Sequence, residues 1–216
     1  MRWTINFAGR RATVWSRTGE ELKDHADGVR HCPISDVSFR QYLRNASHPA
    51  HDAAELTFAP FLADPQRELP WFLATQWSAL RTLQVSAPQG SLLSAGNLQD
   101  LLRRLDADLA DLRIAPPSPE AARPLDPLAV DYLVLGSRHG TEVLRRRLFG
   151  SPDSPPAPGY FTKDRDPGAW QALCAALDRV DPDSPRAARI LFDTASGFDL
   201  FAKAAAAARL HLGTYR

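Results

Sequence analysis

Apolar positions from Asp36 onward recur with the 3.6-residue period of an α-helix. This period predicts helices over residues 37–62, 70–85, 95–112, 127–149, 167–180 and 185–211. No segment combines strict alternation with enrichment in β-branched residues, which is the pattern of a half-buried strand. The chain is therefore predicted to be all-α, a compact bundle of about six main helices.

Local signals mark where several of these helices begin. A capping residue stands directly before a proline at Asp126-Pro127, Asp166-Pro167 and Ser184-Pro185. That order is favoured because the cap accepts a free backbone N–H and proline suits the first helical position. The proline-rich residues 114–123 indicate a connector, and residues 150–166 a loop.

Residues 1–35 carry Trp3, Trp15 and several arginines, without a sustained helical or alternating pattern. A flexible arm, a short accessory element or translation from an upstream start codon would each explain this. We therefore divide the chain into an N-terminal extension, residues 1–35, and a helical domain, residues 36–216.

Composition narrows the class of protein. The 216 residues are 44% hydrophobic and 24% charged, with a net charge of +1, which is ordinary for a globular protein and argues against a nucleic-acid or membrane-surface role. No apolar run approaches the ~20 residues of a membrane span, and no secretory signal is evident. Only two cysteines, Cys32 and Cys174, are present. We expect a cytoplasmic protein without a disulfide framework.

The helix predicted over 127–149 contains Gly136 and Gly140. Each glycine inside a helix costs about 1 kcal/mol relative to alanine. Glycines four residues apart share one face and leave a stripe of bare backbone. Either a neighbouring helix packs closely there or a planar ligand lies against it.

The first predicted helix contains His48 and His51, three residues apart and on nearly the same face. A helical histidine is more often a packed or capping residue than a metal ligand. Pro49 between them lacks an N–H, so this pattern predicts either a helix restart near Ser47 or a kink.

Two motifs in the chain resemble those of the heme oxygenases, especially the soluble bacterial enzymes that form biliverdin, including those paired with bacterial phytochromes. The motifs are Leu43-Arg44-x-Ala46-Ser47-x-Pro49-x-His51-x-x-x-Glu55, similar to the proximal signature, and Tyr132-x-x-Leu135-Gly136-Ser137-x-x-Gly140-x-x-Val143-Leu144, similar to the distal helix. An aromatic loop at residues 159–162 and two closing helices follow. The resemblance covers residues 37 to 216.

The resemblance implies a heme-oxygenase-like bundle with heme between a proximal and a distal helix. It makes His51 the iron ligand and places Arg44 near a heme propionate, although a solvated surface charge would also explain Arg44. Gly136 and Gly140 would bring bare backbone over the iron. Glu55 would accept a hydrogen bond or stay solvated.

The implied reaction opens heme, both cofactor and substrate, to biliverdin, CO and ferrous iron with O₂. The chain has no Gly-x-Gly-x-x-Gly motif for a nicotinamide or flavin cofactor, so a separate ferredoxin or reductase would supply the electrons. A photoreceptor that uses biliverdin is a further candidate partner; nucleic acid and membrane are not. The alternatives are a non-catalytic heme binder or sensor on the same fold, and a bundle that binds another small molecule or a partner.

The chain departs from the family at two candidate catalytic positions beside the glycines. Ser137 stands where eukaryotic members carry an aspartate that anchors a water network, and a serine hydroxyl can still order a water. His139 stands where bacterial relatives have an apolar residue. It would face solvent or a neighbouring helix, donate a hydrogen bond to O₂, or act as a sixth iron ligand.

Basic residues leave two further questions open. Residues 169–177 contain no lysine or arginine, whereas mammalian members use basic residues there to bind a propionate. The heme orientation, and hence the biliverdin isomer, is therefore open. Arg145, Arg146 and Arg147 would either dock an acidic electron donor or simply interact with the helix dipole.

Overall fold

The computed structural model describes residues 38–88, 90–121, 123–152, 154–163 and 168–213. The helices are α1 Phe39–Thr57, α2 Ala59–Ala63, α3 Pro65–Ser86, α4 Ala95–Asp111, α5 Pro127–Phe149, α6 Gly168–Leu177 and α7 Pro185–Gly213, with a 3-10 turn at Gly159–Phe161. No strand occurs in these ranges, which confirms the all-α prediction. None of the described helices is long and apolar enough to cross a bilayer. The predicted extension, residues 1–35, and the Asp166-Pro167 helix start lie outside the described residues.

The first predicted helix is divided in two. Phe58 ends α1 with φ −91° and ψ 5°, and α2 follows. The next helix, α3, begins five residues before the predicted start at Pro70. Its first turn is capped by Asp64, whose carboxylate accepts the backbone N–H of Arg67 at 3.2 Å. Asp64-Pro65 is the same capping signal that marks the start of α5, and it was not among the predicted helix starts.

Helix α3 lies at the centre of the fold and packs against α2, α4 and α7. Helix α7 also contacts α1 and α5, and α6 packs on α5 and α1. Buried apolar residues form two clusters, one around α3 and α4 and one between α1, α5 and α6. Helix α5 contributes to both clusters, so it connects the two halves of the core.

Two buried carboxylates fix the position of α5. The carboxylate of Asp193 in α7 is fully buried and accepts the backbone N–H of Asp126 at 2.7 Å and Nη2 of Arg123 at 2.6 Å. Within α5, Asp131 accepts the backbone N–H and the hydroxyl of Ser94 at 2.9 and 2.6 Å. Burial raises the pKa of Asp131, while the hydrogen bonds from Ser94 oppose the rise. These bonds anchor the first turns of α5 to α7 and to the segment before α4.

The basic run at the end of α5 is partly neutralised within its own helix. Glu142 accepts hydrogen bonds from Nε of Arg145 and Nε of Arg146, each at 2.8 Å. The hydrogen bond from Arg145, supported by Arg146, lowers the pKa of Glu142 from 4.5 to about 2. At least two of the three arginines therefore have a structural role that needs no docking partner.

Glu142→Gln should reveal this pairing through its pH dependence. The folded-state pKa of Glu142 lies below the ordinary value, so its contribution is present above about pH 4.5 and is lost as the pH falls towards 2. At pH 7 we expect the variant to lose about 0.5–1 kcal/mol of unfolding free energy, in the upper range of exposed ion pairs. Urea unfolding of both proteins at pH 7, 5, 4 and 3 measures the difference. A difference that stays constant across this series would contradict the assignment.

Candidate heme site

Helix α1 continues through Pro49 without a restart near Ser47. Ser47 is buried, and its hydroxyl donates to the carbonyl of Arg44 at 3.4 Å. The two histidines of this helix differ in exposure: the side chain of His48 is 68% exposed, that of His51 39%. His51 is therefore the one packed against the rest of the fold.

The imidazole of His51 is oriented by neighbours on two sides. The ring of Phe198 in α7 meets it edge-on, with 5.7 Å between centroids. The carboxylates of Glu55 and Asp52 lie 3.6 Å from Nε2 and Nδ1 of His51, respectively, just beyond hydrogen-bond distance. Glu55 thus lies beside the ring. Each ring nitrogen of His51 thus has a carboxylate nearby, and a metal at either nitrogen would need the adjacent carboxylate to turn aside or to share the metal.

The glycine segment of α5 marks an abrupt change in burial. Residues 131–135 are buried, whereas residues 136–140 are all partly exposed. A Cβ at Gly136 would meet only Cζ3 of Trp170, at 4.0 Å, and a Cβ at Gly140 would meet no described atom within 4 Å. Within the described ranges, only the edge of the Trp170 ring of α6 reaches Gly136, and nothing fills the space beside Gly140. The bare stripe adjoins open space, as a site for a ligand requires.

Gly136→Ala and Gly140→Ala should therefore leave the ligand-free fold intact. Both positions have room for a methyl group, and alanine is favoured over glycine in a helix by up to about 1 kcal/mol. We expect each variant to match or exceed the parent in unfolding free energy, measured by urea denaturation followed by circular dichroism. Gly197→Ala is the matched control, since a Cβ there would lie 2.0 Å from Cδ1 of Leu133. It should destabilise by about 1–3 kcal/mol. Destabilisation by the first two variants to the same extent would disprove the open stripe.

The two candidate catalytic side chains between the glycines have definite surroundings. The hydroxyl of Ser137 donates to the carbonyl of Val134 at 2.8 Å, which leaves its oxygen lone pairs as acceptors. The ring of His139 meets Trp170 of α6 edge-on, with 4.8 Å between centroids. His139 thus contacts a neighbouring helix, one of the alternatives that its position in the sequence left open. Its direct role towards a ligand stays a prediction.

The proximal and distal motifs meet at Tyr132. Burial raises the pKa of this phenol, and a hydrogen bond with Ser47 and the positive charge of Arg44 partly oppose the rise. His51 follows Ser47 by four residues, and Gly136 follows Tyr132 by four. Both therefore lie within about 6 Å, measured along their helices, of the contact between the motifs.

Helix α7 also contacts both of the helices that carry the two motifs, α1 and α5. At Gly197 the missing side chain allows close approach of Leu133 in α5, and the next residue, Phe198, contacts His51 in α1. Gly197, Phe198 and Trp170 were not among the predicted site residues. A glycine inside the helix predicted over 185–211 was a usable signal, by the reasoning applied to α5. The two aromatic residues gave no comparable signal.

The aromatic loop is seated beside the glycine segment. Arg138 donates to the carbonyl of Thr162 at 2.8 Å, and its guanidinium lies 5.2 Å from the centre of the Tyr160 ring. On the other side, the carboxylate of Asp108 accepts the backbone N–H groups of Gly159 and Tyr160 at 2.7 and 2.8 Å. The loop is thereby tied to both α4 and α5.

A separate groove of about 1060 Å³ lies between the end of α3 and the start of α4. Its lining includes Val85, Leu98 and Leu102, with Arg81 and Arg103 among the polar residues. It shares no residue with the predicted heme site.

Comparison with protein-family models, with curated proteins and with solved structures finds no match to this chain.

Proposed function

We propose that this chain is a heme oxygenase, which cleaves heme to biliverdin, CO and ferrous iron with O₂ and electrons from a separate donor. The observation that carries the proposal is the pair of contacts made by consecutive residues of α7. Phe198 contacts His51, and Gly197 contacts Leu133, one turn before the bare glycine stripe. The same short stretch of α7 therefore contacts both His51 in α1 and the part of α5 that precedes the bare glycine backbone.

The donor set fits heme. His51 offers an imidazole nitrogen that is partly open to solvent, as an axial iron ligand requires. Asp52 lies beside Nδ1 and Glu55 beside Nε2, so one carboxylate would orient the ring while the other would turn away from the nitrogen that binds iron. Arg44, on α1 with His51, lies near Tyr132 of α5 and would supply a positive charge for a propionate.

Bound heme would supply both the iron centre at which O₂ is reduced and the porphyrin ring that is opened. The residues of the protein would then hold and orient the heme. Glycine at 136 and 140 leaves room for a flat ring close to the helix backbone. The Ser137 oxygen can accept a hydrogen bond from an ordered water, and His139 can hold or donate a proton at the edge of the stripe. The electron donor, a ferredoxin or reductase, and a biliverdin-using photoreceptor are the proposed partners.

The test mixes the purified protein with one equivalent of hemin, then adds ascorbate or reduced ferredoxin in air while the visible spectrum is followed. A Soret band that decays into the broad red absorption of biliverdin is the expected result. A stable Soret band would indicate instead a heme carrier or sensor, and His139→Ala would then test whether His139 blocks the sixth position. A spectrum that stays that of free hemin, with no shifted and sharpened Soret band, would overturn both heme functions.

A further inference from the structure

One face of α1 carries more metal-binding groups than a single iron ligand requires. His48, His51, Asp52 and Glu55 occupy positions i, i+3, i+4 and i+7, which fall on the same side of a helix. Nδ1 of His48 lies 3.0 Å from Oδ2 of Asp52, and the other oxygen of that carboxylate lies 3.6 Å from Nδ1 of His51. Both carboxylates of this face therefore approach a histidine.

Three of these side chains have ligand atoms close to one another. His51, Asp52 and Glu55 each offer a ligand atom, and these atoms lie within 4.8 Å of one another. A first-row metal binds nitrogen and oxygen ligands at about 2.0–2.2 Å, so ligand atoms in a formed site are about 3–4 Å apart. Asp52 approaches Nδ1 of His51 and Glu55 approaches Nε2, so the three form one site when the side chains rotate to bring both carboxylates to the same ring nitrogen.

The donor chemistry selects the kind of cation. Imidazole together with carboxylates suits Zn²⁺ and the neighbouring divalent transition metals, whereas Mg²⁺ and Ca²⁺ prefer oxygen ligands alone. Phe198 also restrains the ring of His51, which reduces the conformational freedom lost when a metal binds.

We propose that His51, Asp52 and Glu55 form a binding site for a divalent transition metal such as Zn²⁺, with His48 orienting the carboxylate of Asp52. Resting on the proposed function, the site has a further consequence: His51 cannot bind this metal and heme iron together. A bound metal excludes heme from the proximal position, and bound heme excludes the metal.

Isothermal titration of the full chain with Zn²⁺ tests the site directly. We expect saturable binding of a single Zn²⁺, with affinity lowered at least about tenfold in His51→Ala and in Asp52→Asn. Asp111→Asn is the matched control, since it removes an exposed carboxylate at the end of α4 and should bind Zn²⁺ like the parent. Circular dichroism confirms that each variant is folded. Absence of saturable binding, or equal affinity in Asp52→Asn and the parent, would overturn the site.

A second titration tests the exclusion. Hemin is added to the parent and to Asp52→Asn, with and without saturating Zn²⁺. Zn²⁺ should weaken hemin binding to the parent and have at least about tenfold less effect on the variant. Equal weakening in both proteins would overturn the exclusion. Zn²⁺ binding without any hemin binding would refute the proposed function and leave the metal site intact.

Discussion

His51→Ala is expected to abolish heme turnover while leaving the ligand-free protein folded. The variant removes the proposed axial ligand, and loss of even a supporting residue around a metal lowers affinity or activity by about 10–100-fold. We therefore expect at least about a 100-fold decrease in the rate of Soret decay. The side chain is 39% exposed, so its removal should cost the fold little.

The matched control for this experiment is His48→Ala, one turn earlier on the same helix. The side chain of His48 is 68% exposed and contacts Asp52 and the ring of His51. It should bind hemin and turn it over as the parent does. Equal loss in both variants would indicate a general effect on α1, and unchanged turnover in His51→Ala would remove His51 as the iron ligand.

Asp193→Ala is expected to cause the largest loss of stability. The carboxylate is fully buried and accepts hydrogen bonds from Arg123 and from the backbone N–H of Asp126. It also forms an ion pair with Nε of Arg189 at 3.4 Å. Removing the carboxylate leaves the buried backbone N–H of Asp126 without an acceptor and takes a charged partner from two partly exposed arginines, so we expect a loss of about 3 kcal/mol. Urea denaturation at pH 7 measures the unfolding free energy.

Asp199→Ala on the same helix is the control for Asp193→Ala. Asp199 is exposed, so the change should stay within about 0.5 kcal/mol of the parent. Similar unfolding free energies for the two variants would show that the buried hydrogen bonds at the start of α5 do not stabilise the fold.

What could be predicted from the sequence was decided by local signals. The starts of α5 and α7 and the whole span of α5 follow from a cap, a proline and the helical period. The start of α3 carried the same signal at Asp64-Pro65, but it was predicted five residues further along the chain. These features depend on neighbouring residues, which a sequence displays directly.

Residue type and spacing in the sequence identify only part of the candidate site. His51 and the glycines are identified by residue type and spacing. The contacts that connect them involve Phe198 and Gly197, which lie far from both motifs in the chain and meet them only after folding. Whether a glycine faces a helix or open space is likewise a property of the packed structure.

The two consecutive residues of α7 also act as a spacer. Phe198 sets how closely the imidazole of His51 approaches α7, and Gly197 sets how closely α5 does. Because both distances depend on side-chain size at adjacent positions, a substitution at 197 or 198 would shift α5 or α1 relative to α7. Gly197 already allows the closest approach, so any larger residue there moves α5 outward and disrupts the contact with Leu133. The separation of the two candidate motifs is thus set by two adjacent positions of α7.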